Sequence, residues 1–331
     1  MAHEPVVRYG ILGFGQFAQR AIGPAIGVST NSRLVALQKR SLEPAKTLAK
    51  EHGVPHAFDR VEDLVKHPDV DAVFIVSANG EHCSQTLAAA QAGKHVLVEK
   101  PMANSAREAQ EMIDACRKHN VKLMVAHMIR FSPLALRLRE LIQNGALGRV
   151  VAARSEFYYD ARLTYRDWLL SRPIAGGGPV FDIGVHCLDT LRFVLGQEVT
   201  SVRSELHPLP NDRETEATAQ VALKFAGGTV GSIFCSYDAP KRRSMIEIMG
   251  TEGMASADDF TLGSRTLELN VESRGESGGI VSRTERLEIP NLYVEEITHF
   301  SRCILEDRQP MVDGAMGLEN QRLIDAMLLG S

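Results

Sequence analysis

The first 126 residues alternate between short apolar runs and longer stretches with helical periodicity. Apolar runs typical of buried strands lie at residues 6–12, 34–37, 72–76, 96–98 and 122–126. Amphipathic stretches typical of helices lie between them, at residues 16–25, 44–52, 61–66, 82–92 and 105–119. Because strands that alternate with helices form parallel sheets, this part of the chain is predicted to be α/β, with a doubly wound parallel sheet.

The pattern changes beyond residue 148. A helix is predicted at residues 133–143, and after it the apolar residues recur with the two-residue period of strands. These predicted strands lie at residues 150–158, 220–225, 231–237, 245–249 and 266–271. Turn-rich stretches separate the later segments, which favours an α+β domain with a large, mainly antiparallel open sheet.

The length and composition of the chain agree with two domains. Its 331 residues, 44% hydrophobic and 24% charged, are enough for two globular cores. We predict a first domain over residues 1–125 and a second domain over residues 126–331. The helices predicted at residues 292–305 and 317–329 are expected to pack back on the first domain.

Charge and cysteine content exclude several classes of function. The net charge is −4, without a basic stripe or an acidic tail, so neither nucleic acid nor a membrane surface is an expected partner. No apolar run approaches the 18 or more residues that span a bilayer. The start of the chain does not resemble a signal peptide, so a cytoplasmic protein is expected. The five cysteines have no CxxC spacing, and no metal site is predicted from them.

A glycine-rich turn joins the first predicted strand to the first predicted helix. Its sequence is Gly13-Phe14-Gly15-Gln16-Phe17-Ala18, which matches the GxGxxG/A dinucleotide fingerprint. The first glycine permits the tight turn, the second lets the backbone approach a pyrophosphate, and the small last residue lets helix and strand pack closely. The alternative is a glycine turn without a ligand. Its place between a strand and a helix favours a Rossmann domain.

Two cations and a hydroxyl follow the second predicted strand. A site that prefers NAD places an acid there for the ribose 2′-hydroxyl, whereas this chain has Lys39, Arg40 and Ser41. These groups suit a 2′-phosphate, which an arginine can bind with two hydrogen bonds. We therefore predict that NADP(H) is preferred and that NAD(H) remains possible. The competing interpretation is a solvated basic turn.

A second polar turn is expected at the same edge of the sheet. Ser77, Ala78 and Asn79 follow an apolar strand, and ligands of open α/β sheets bind at the carboxyl ends of their strands. Their polar groups could contact the ribose or nicotinamide of a cofactor. They could equally cap the helix that begins at His82, and the two roles are compatible.

A third turn contains an acid, a lysine and a proline. Glu99, Lys100 and Pro101 end the apolar strand at residues 96–98. Lys100 is therefore expected at the ligand-binding edge, where it could act as a cation, a hydrogen-bond donor or a proton carrier. For an isolated lysine, a solvated strand end would be the simpler interpretation.

The second concentration of candidate chemistry follows three glycines at residues 176–178. Asp182 and His186 are four residues apart, so on a helix they project from one face, and Asp189 lies near that face. A carboxylate paired with a histidine can move a proton on or off a hydroxyl at neutral pH. The alternative is that Asp182 caps the helix and His186 is a core histidine.

Together these motifs resemble the glucose–fructose oxidoreductase / inositol dehydrogenase / MocA family, abbreviated Gfo/Idh/MocA. The resemblance rests on residues 13–18, 92–101 and 130–133, and covers almost the whole chain. Residues 168–196 and 291–293 resemble most the sugar-active, anhydrofructose-reductase-like branch.

The resemblance implies a function and roles for three residues. It implies an oxidoreductase that interconverts a secondary alcohol and a ketone or aldehyde on a sugar, anhydro-sugar or polyol, as a homodimer or homotetramer. His186 would be the general acid/base, Lys100 would hydrogen-bond the reacting oxygen and the nicotinamide ribose, and Asp182 would bind a neighbouring substrate hydroxyl. Further candidates are His82, Glu99 and Arg130 for the cofactor, and His127, Tyr159, Arg162 and Trp168 for the substrate. The domain over residues 1–125 would bind the dinucleotide, and the domain over residues 126–331 would bind the substrate and form the oligomer.

Two alternative functions remain within the same family. One is a dinucleotide-binding regulator without catalysis, which the presence of Lys100, Asp182 and His186 disfavours. The other is a redox-neutral glycosidase that retains its nicotinamide cofactor and returns the hydride in each cycle.

Overall fold

The computed structural model describes residues 5–164, 166–275 and 277–330. Contacts between residues divide the chain into two units. The first unit comprises residues 1–127 and 293–321, and the second comprises residues 128–292 and 322–331.

The first unit is built on six parallel strands. They are β1 (Val7–Leu12), β2 (Ser32–Gln38), β3 (His56–Phe58), β4 (Ala72–Ile75), β5 (His95–Glu99) and β6 (Leu123–Ala126). Their order in the sheet is β3-β2-β1-β4-β5-β6. The order reverses between β1 and β4, which is where open α/β sheets form their ligand crevice. The predicted parallel, doubly wound sheet is confirmed.

Helices connect these strands at the predicted places. They are α1 (Gly23–Val28), α2 (Leu42–Glu51), α3 (Val61–Val65), α4 (His82–Gln91) and α5 (Ala106–Lys118), and a π-helical turn (Ala18–Ile22) precedes α1. The start of α5 shows why its position is readable from sequence. Ser105 accepts a bond from the main-chain N–H of Glu108, whose carboxylate accepts one from the N–H of Asn104. This reciprocal arrangement is a capping box shifted by one residue.

The second unit contains an eight-stranded sheet. Its elements are α6 (Pro133–Gln143), β7 (Val150–Asp160), α7 (Arg172–Ala175), α8 (Val185–Leu195), β8 (Val199–His207), β9 (Thr218–Phe225), β10 (Val230–Ser236), β11 (Asp238–Gly250), β12 (Gly253–Asp258), β13 (Arg265–Arg274) and β14 (Ile280–Ile289). The strand order is β14-β13-β12-β11-β7-β10-β9-β8. Only β7 and β10 pair in parallel within this described sheet, so the predicted mainly antiparallel sheet is confirmed.

One face of this sheet carries the core of the second unit. In β9, residues 219, 221, 223 and 225 are buried while residues 220, 222 and 224 are exposed, as expected when one face is covered. Leu138 of α6 and Leu191 of α8 belong to the same apolar cluster as Val221 and Leu223. The covered face therefore lies against α6 and α8, and α8 carries His186.

The first unit also includes α9 (Leu292–Leu305) and the first half of α10 (Gly314–Leu329). The hydroxyls of Tyr9 in β1 and Ser301 in α9 are 2.8 Å apart, and both side chains are fully buried. Phe300 of α9 is also fully buried. None of the described helices combines the length and the apolar character that crossing a membrane requires.

The bond between Tyr9 and Ser301 gives a stability prediction. Tyr9→Phe removes one hydroxyl, while Ser301 keeps its 2.8 Å bond to Ser32. We expect unfolding free energy to fall by about 1 kcal/mol, the usual net value of such a bond. Urea denaturation of Tyr9→Phe, Ser301→Ala and the double variant would measure it. The two losses should not add; strict additivity would contradict a direct bond.

Candidate active site

The glycine turn and the Ser77 turn touch at one edge of the first unit's sheet. Gly13 has a φ of +82°, and a Cβ atom there would lie 2.7 Å from the main-chain N and Cα of Ser77. Only glycine adopts that conformation in that space without strain. The main-chain N–H of Gly13 donates to the side-chain oxygen of Gln38 at 3.2 Å, which ties the turn to the end of β2. Three strand ends therefore meet here.

The fingerprint residues divide between core and surface. Phe14 and Ala18 are fully buried, whereas Gln16 is exposed and Phe17 is 40% exposed with its ring 5.6 Å from that of Tyr293. A Cβ atom at Gly15 would meet only the carbonyl oxygen of Gly13, at 3.8 Å. The main chain at Gly15 is thus open to a ligand, as the approach of a pyrophosphate requires.

The predicted basic turn follows β2 and leads into α2. Lys39 is half-buried, and Arg40 and Ser41 are exposed. Within the described residues, neither cation forms an ion pair, so both charges are available to a ligand. The N-terminus of α2 adds its own partial positive charge at this position.

His82 lies behind the edge and joins two turns. Its side chain is fully buried, with Nδ1 3.0 Å from the carbonyl oxygen of Pro101 and Nε2 3.2 Å from that of Ser77. Burial lowers the pKa of this imidazole to about 4. His82, predicted to contact the cofactor, is thus fully buried between the Ser77 turn and the lysine turn, and as a neutral imidazole it donates its one N–H to one of the two carbonyl oxygens.

The remaining candidates of the first unit lie at strand ends. Lys100 is half-buried directly after β5, and its main-chain N–H donates to the carboxylate of Glu99 at 3.2 Å. Asn79 is buried near the start of α4. His127 is buried after β6, where its Nε2 lies 3.2 Å from the side-chain nitrogen of Asn320.

In the second unit, Asp182 is held by two side chains. It lies in a π-helical turn (Val180–Gly184) that continues directly into α8. Arg166 donates to both carboxylate oxygens at 3.0 Å, and the hydroxyl of Tyr159 donates at 2.7 Å. Arg166 also donates to the hydroxyl of Tyr159 at 3.0 Å. The three side chains form a closed network around the carboxylate.

Charge and burial fix the protonation of this network. The charge of Asp182 raises the pKa of the Arg166 guanidinium, which therefore stays charged. Burial, followed by the charge of Asp182, raises the pKa of Tyr159, which therefore stays a neutral donor. With a cation and a hydroxyl both donating to it, the carboxylate is stabilised in its ionised form.

Arg162 was predicted from the sequence, whereas Arg166, which binds Asp182, was not. Arg162 donates through its side chain to Asp160 at 2.7 and 2.8 Å and is largely exposed. The two arginines are four residues apart in a turn-rich segment without periodicity, and no sequence pattern distinguishes them. Trp168, also predicted, is half-buried and packs against the core of the second unit.

His186 lies in the first turn of α8, and its ring is 6.3 Å from that of Phe157. Asp189, expected near the same face, accepts three bonds from Arg130 at 2.7 to 3.2 Å. Arg130 and Asp189 are both buried, and the guanidinium also lies 5.3 Å from the ring of Phe193. Arg130, which was predicted to contact the cofactor, thus forms a buried ion pair with Asp189 that anchors α8.

Comparison with known proteins decides the family. Residues 7–127 match the model of an oxidoreductase family with an NAD-binding Rossmann fold, and residues 135–256 match the Gfo/Idh/MocA C-terminal domain. The chain belongs to the Gfo/Idh/MocA family of oxidoreductases. The resemblance stated from the sequence is confirmed.

Individual Gfo/Idh/MocA relatives span nearly the whole chain. The 1,5-anhydro-D-fructose reductase of Ensifer adhaerens is 32% identical, over 94% of this chain and 92% of its own. A D-xylose 1-dehydrogenase (NADP+) of Haloferax volcanii is 29% identical, over 96% and 95%. The crystal structure of aldose-aldose oxidoreductase from Caulobacter crescentus, complexed with glycerol, superposes with a TM-score of 0.86 at 30% identity, covering 97% and 96%.

The burial of His82 gives this Gfo/Idh/MocA protein a pH-dependent stability. Its pKa is about 4 in the folded chain, against about 6.5 for an unperturbed histidine. Between these values the unfolded chain binds the extra proton, so acidification favours unfolding. His82 should contribute a loss of about 2 kcal/mol between pH 7 and pH 4.5. Urea denaturation across this range should show a shallower pH dependence for His82→Gln than for wild type.

The exposed His207 provides the matched control for this measurement. His207→Gln should follow the wild-type pH dependence. If His82→Gln also followed it, a lowered histidine pKa would be the wrong explanation.

Proposed function

We propose that this protein interconverts a secondary alcohol and a ketone or aldehyde on a sugar, anhydro-sugar or polyol, with NADP(H) preferred over NAD(H). The observation that carries the proposal is the fixed carboxylate of Asp182, four residues before the imidazole of His186. Arg166 and Tyr159 hold Asp182 ionised and oriented. A fixed acceptor beside a proton carrier suits a polyhydroxylated substrate, because one hydroxyl can be bound while another reacts.

In this proposal, one side chain transfers the proton and another stabilises the negative charge on the reacting oxygen. A bound nicotinamide cofactor would accept or supply the hydride. In oxidation, His186 takes the proton from the substrate hydroxyl, and in reduction it returns that proton to the oxygen. Lys100 donates a hydrogen bond to the reacting oxygen and stabilises its negative charge. Asp182 accepts a bond from a neighbouring hydroxyl and does not carry the proton, because Arg166 stabilises its ionised form.

The similarity to a sugar-derivative reductase and a sugar dehydrogenase supports this substrate class. The positive charges of Lys39 and Arg40 and the NADP+-dependence in the name of the xylose dehydrogenase support the cofactor preference. We also infer a cytoplasmic homodimer or homotetramer that associates through the exposed face of the eight-stranded sheet. That face presents the aromatic pair Tyr158 and Phe234, whose ring centroids are 5.9 Å apart.

The catalytic roles are tested by Lys100→Met and His186→Ala. Each should lower kcat by roughly a hundred- to ten-thousandfold, the usual contribution of a positioned proton carrier or charge stabiliser. Binding of NADPH, measured by its fluorescence, should change less than about threefold. Turnover would be followed at 340 nm across sugars, anhydro-ketoses and inositols.

The controls are Lys118→Met and His207→Ala, both at exposed positions. They should keep wild-type turnover. Full activity in the Lys100 and His186 variants would overturn the proposal. Tight NADPH binding without turnover of any substrate would favour a regulator, and bond cleavage without net change at 340 nm would favour a redox-neutral glycosidase.

The cofactor preference is tested by Arg40→Ala. Loss of a charged bond to the 2′-phosphate should raise the KM for NADPH by roughly ten- to a hundredfold while leaving that for NADH nearly unchanged. Arg60→Ala is the matched control, since Arg60 is an exposed arginine whose nearest acid is Glu62 at 3.6 Å. Equal effects on both cofactors would contradict a 2′-phosphate contact.

A further inference from the structure

Glu216 is a fully buried carboxylate that lies just before β9. Its side chain accepts bonds from main-chain N–H groups: Gly178 donates to both of its oxygens at 3.0 Å, and Val180 donates to one at 3.1 Å. Val180 begins the π-helical turn that contains Asp182, and Gly178 lies two residues before it. The buried carboxylate of Glu216 therefore caps the N-terminal end of the helical segment that carries Asp182 and His186.

A chain of two hydrogen bonds links Glu216 to the backbone of Asp182. The N–H of Gly178 donates to Glu216, and the carbonyl oxygen of Gly178 accepts from the N–H of Asp182 at 3.1 Å. Because the side chain of Asp182 is fixed by Arg166 and Tyr159, a displacement of Gly178 would pull its backbone against those bonds. The position of Asp182 thus depends on both ends of this chain.

The glycine at position 178 is required by the same contact. A Cβ atom there would lie 2.0 Å from the carbonyl oxygen of Glu216 and 3.2 Å from its carboxyl carbon. The loop can approach the carboxylate only without a side chain at this position. Part of the glycine-rich sequence is therefore explained by packing against Glu216, without a ligand.

The surroundings of Glu216 have opposing effects on the ionisation of its carboxyl group. The pKa of this carboxyl is raised overall, because burial outweighs the bonds from Gly178 and Val180 and the charge of Arg172, which lower it. The free N–H groups at the start of a helix carry partial positive charge, which suits an anion at this position. Glu214, two residues earlier, is exposed, and its carboxylate accepts a bond from the side chain of Asn211.

We propose that Glu216 is a positioning residue of the active site, which holds the glycine loop and the start of the helix so that Asp182 and His186 keep their working geometry. This inference rests on the proposed function. Glu216 itself touches neither substrate nor cofactor and acts through the main chain of residues 178–182. The sequence did not indicate this role. The partners of Glu216 are main-chain N–H groups, and such contacts produce no recognisable pattern of side chains.

The test compares Glu216→Gln and Glu216→Asp with the control Glu214→Gln. Glutamine keeps the shape but turns an N–H donor group toward two N–H donors, so the loop must shift. A shift of about 1 Å in a catalytic group costs on the order of a hundredfold in rate. We expect kcat of Glu216→Gln to fall ten- to a hundredfold, with NADPH affinity within about threefold of wild type. Glu216→Asp keeps the charge and should recover part of the loss.

Two further measurements separate positioning from general damage. In the background of His186→Ala, Glu216→Gln should lower the residual rate less than about threefold, because both changes disable the same step. Amide hydrogen exchange of residues 176–186 should be faster in Glu216→Gln than in Glu214→Gln, while exchange in residues 7–127 stays unchanged. This second readout requires no turnover, and it remains available through Glu216→Asp if the glutamine variant does not fold.

The outcomes distinguish this inference from the proposed function. If wild type and Glu214→Gln turn over a sugar but Glu216→Gln matches them in kcat and in amide exchange, Glu216 has no positioning role. A full ten- to hundredfold loss that persists in the His186→Ala background would likewise overturn it. If wild type shows no turnover, the proposed function fails, and faster exchange in residues 176–186 would still establish the structural link.

Discussion

Parallel pairing of six strands is the constraint on which the first unit depends. Because parallel strands all end at one edge, the glycine turn, the basic turn, the Ser77 turn and the lysine turn are brought together without any sequence between them specifying it. The close approach of Gly13 to Ser77 and the position of buried His82 between Ser77 and Pro101 then fix three of these turns relative to one another. These contacts therefore position three of the four turns at the ligand-binding edge of the sheet.

The second unit fixes its polar groups in a different way, with charges buried against charges or against the backbone. Asp182 is held by Arg166 and Tyr159, Asp189 by Arg130, and Glu216 by two main-chain N–H groups. Each of these carboxylates would be costly if left alone in a protein interior. Their partners therefore help to determine where α8 begins and which way it faces.

The sequence predicted elements whose residues are buried on a regular pattern. Five strands of the first unit and α6 were found because continuous or periodic apolar residues mark them, whereas β3, β8, β12 and β14 were missed. β14 is exposed along nearly its whole length, so it shows no clear alternation. Arg166 and Glu216 were missed for another reason: their partners are distant in sequence or belong to the main chain, and a side-chain motif records neither. The π-helical turn at Asp182 has no sequence signature of its own.

The closure of the first unit by α9 has a consequence for the order of folding. Tyr9 and Ser301 are 292 positions apart in sequence, and the intervening chain includes the entire sheet of the second unit. During synthesis, β1 emerges early but must wait for α9 before its last face is covered, whereas β7 to β14 are complete before α9 is made. Contacts of such high sequence separation form slowly. The first unit is thus closed only after the eight-stranded sheet of the second unit has been made, and its apolar surface needs protection during that interval.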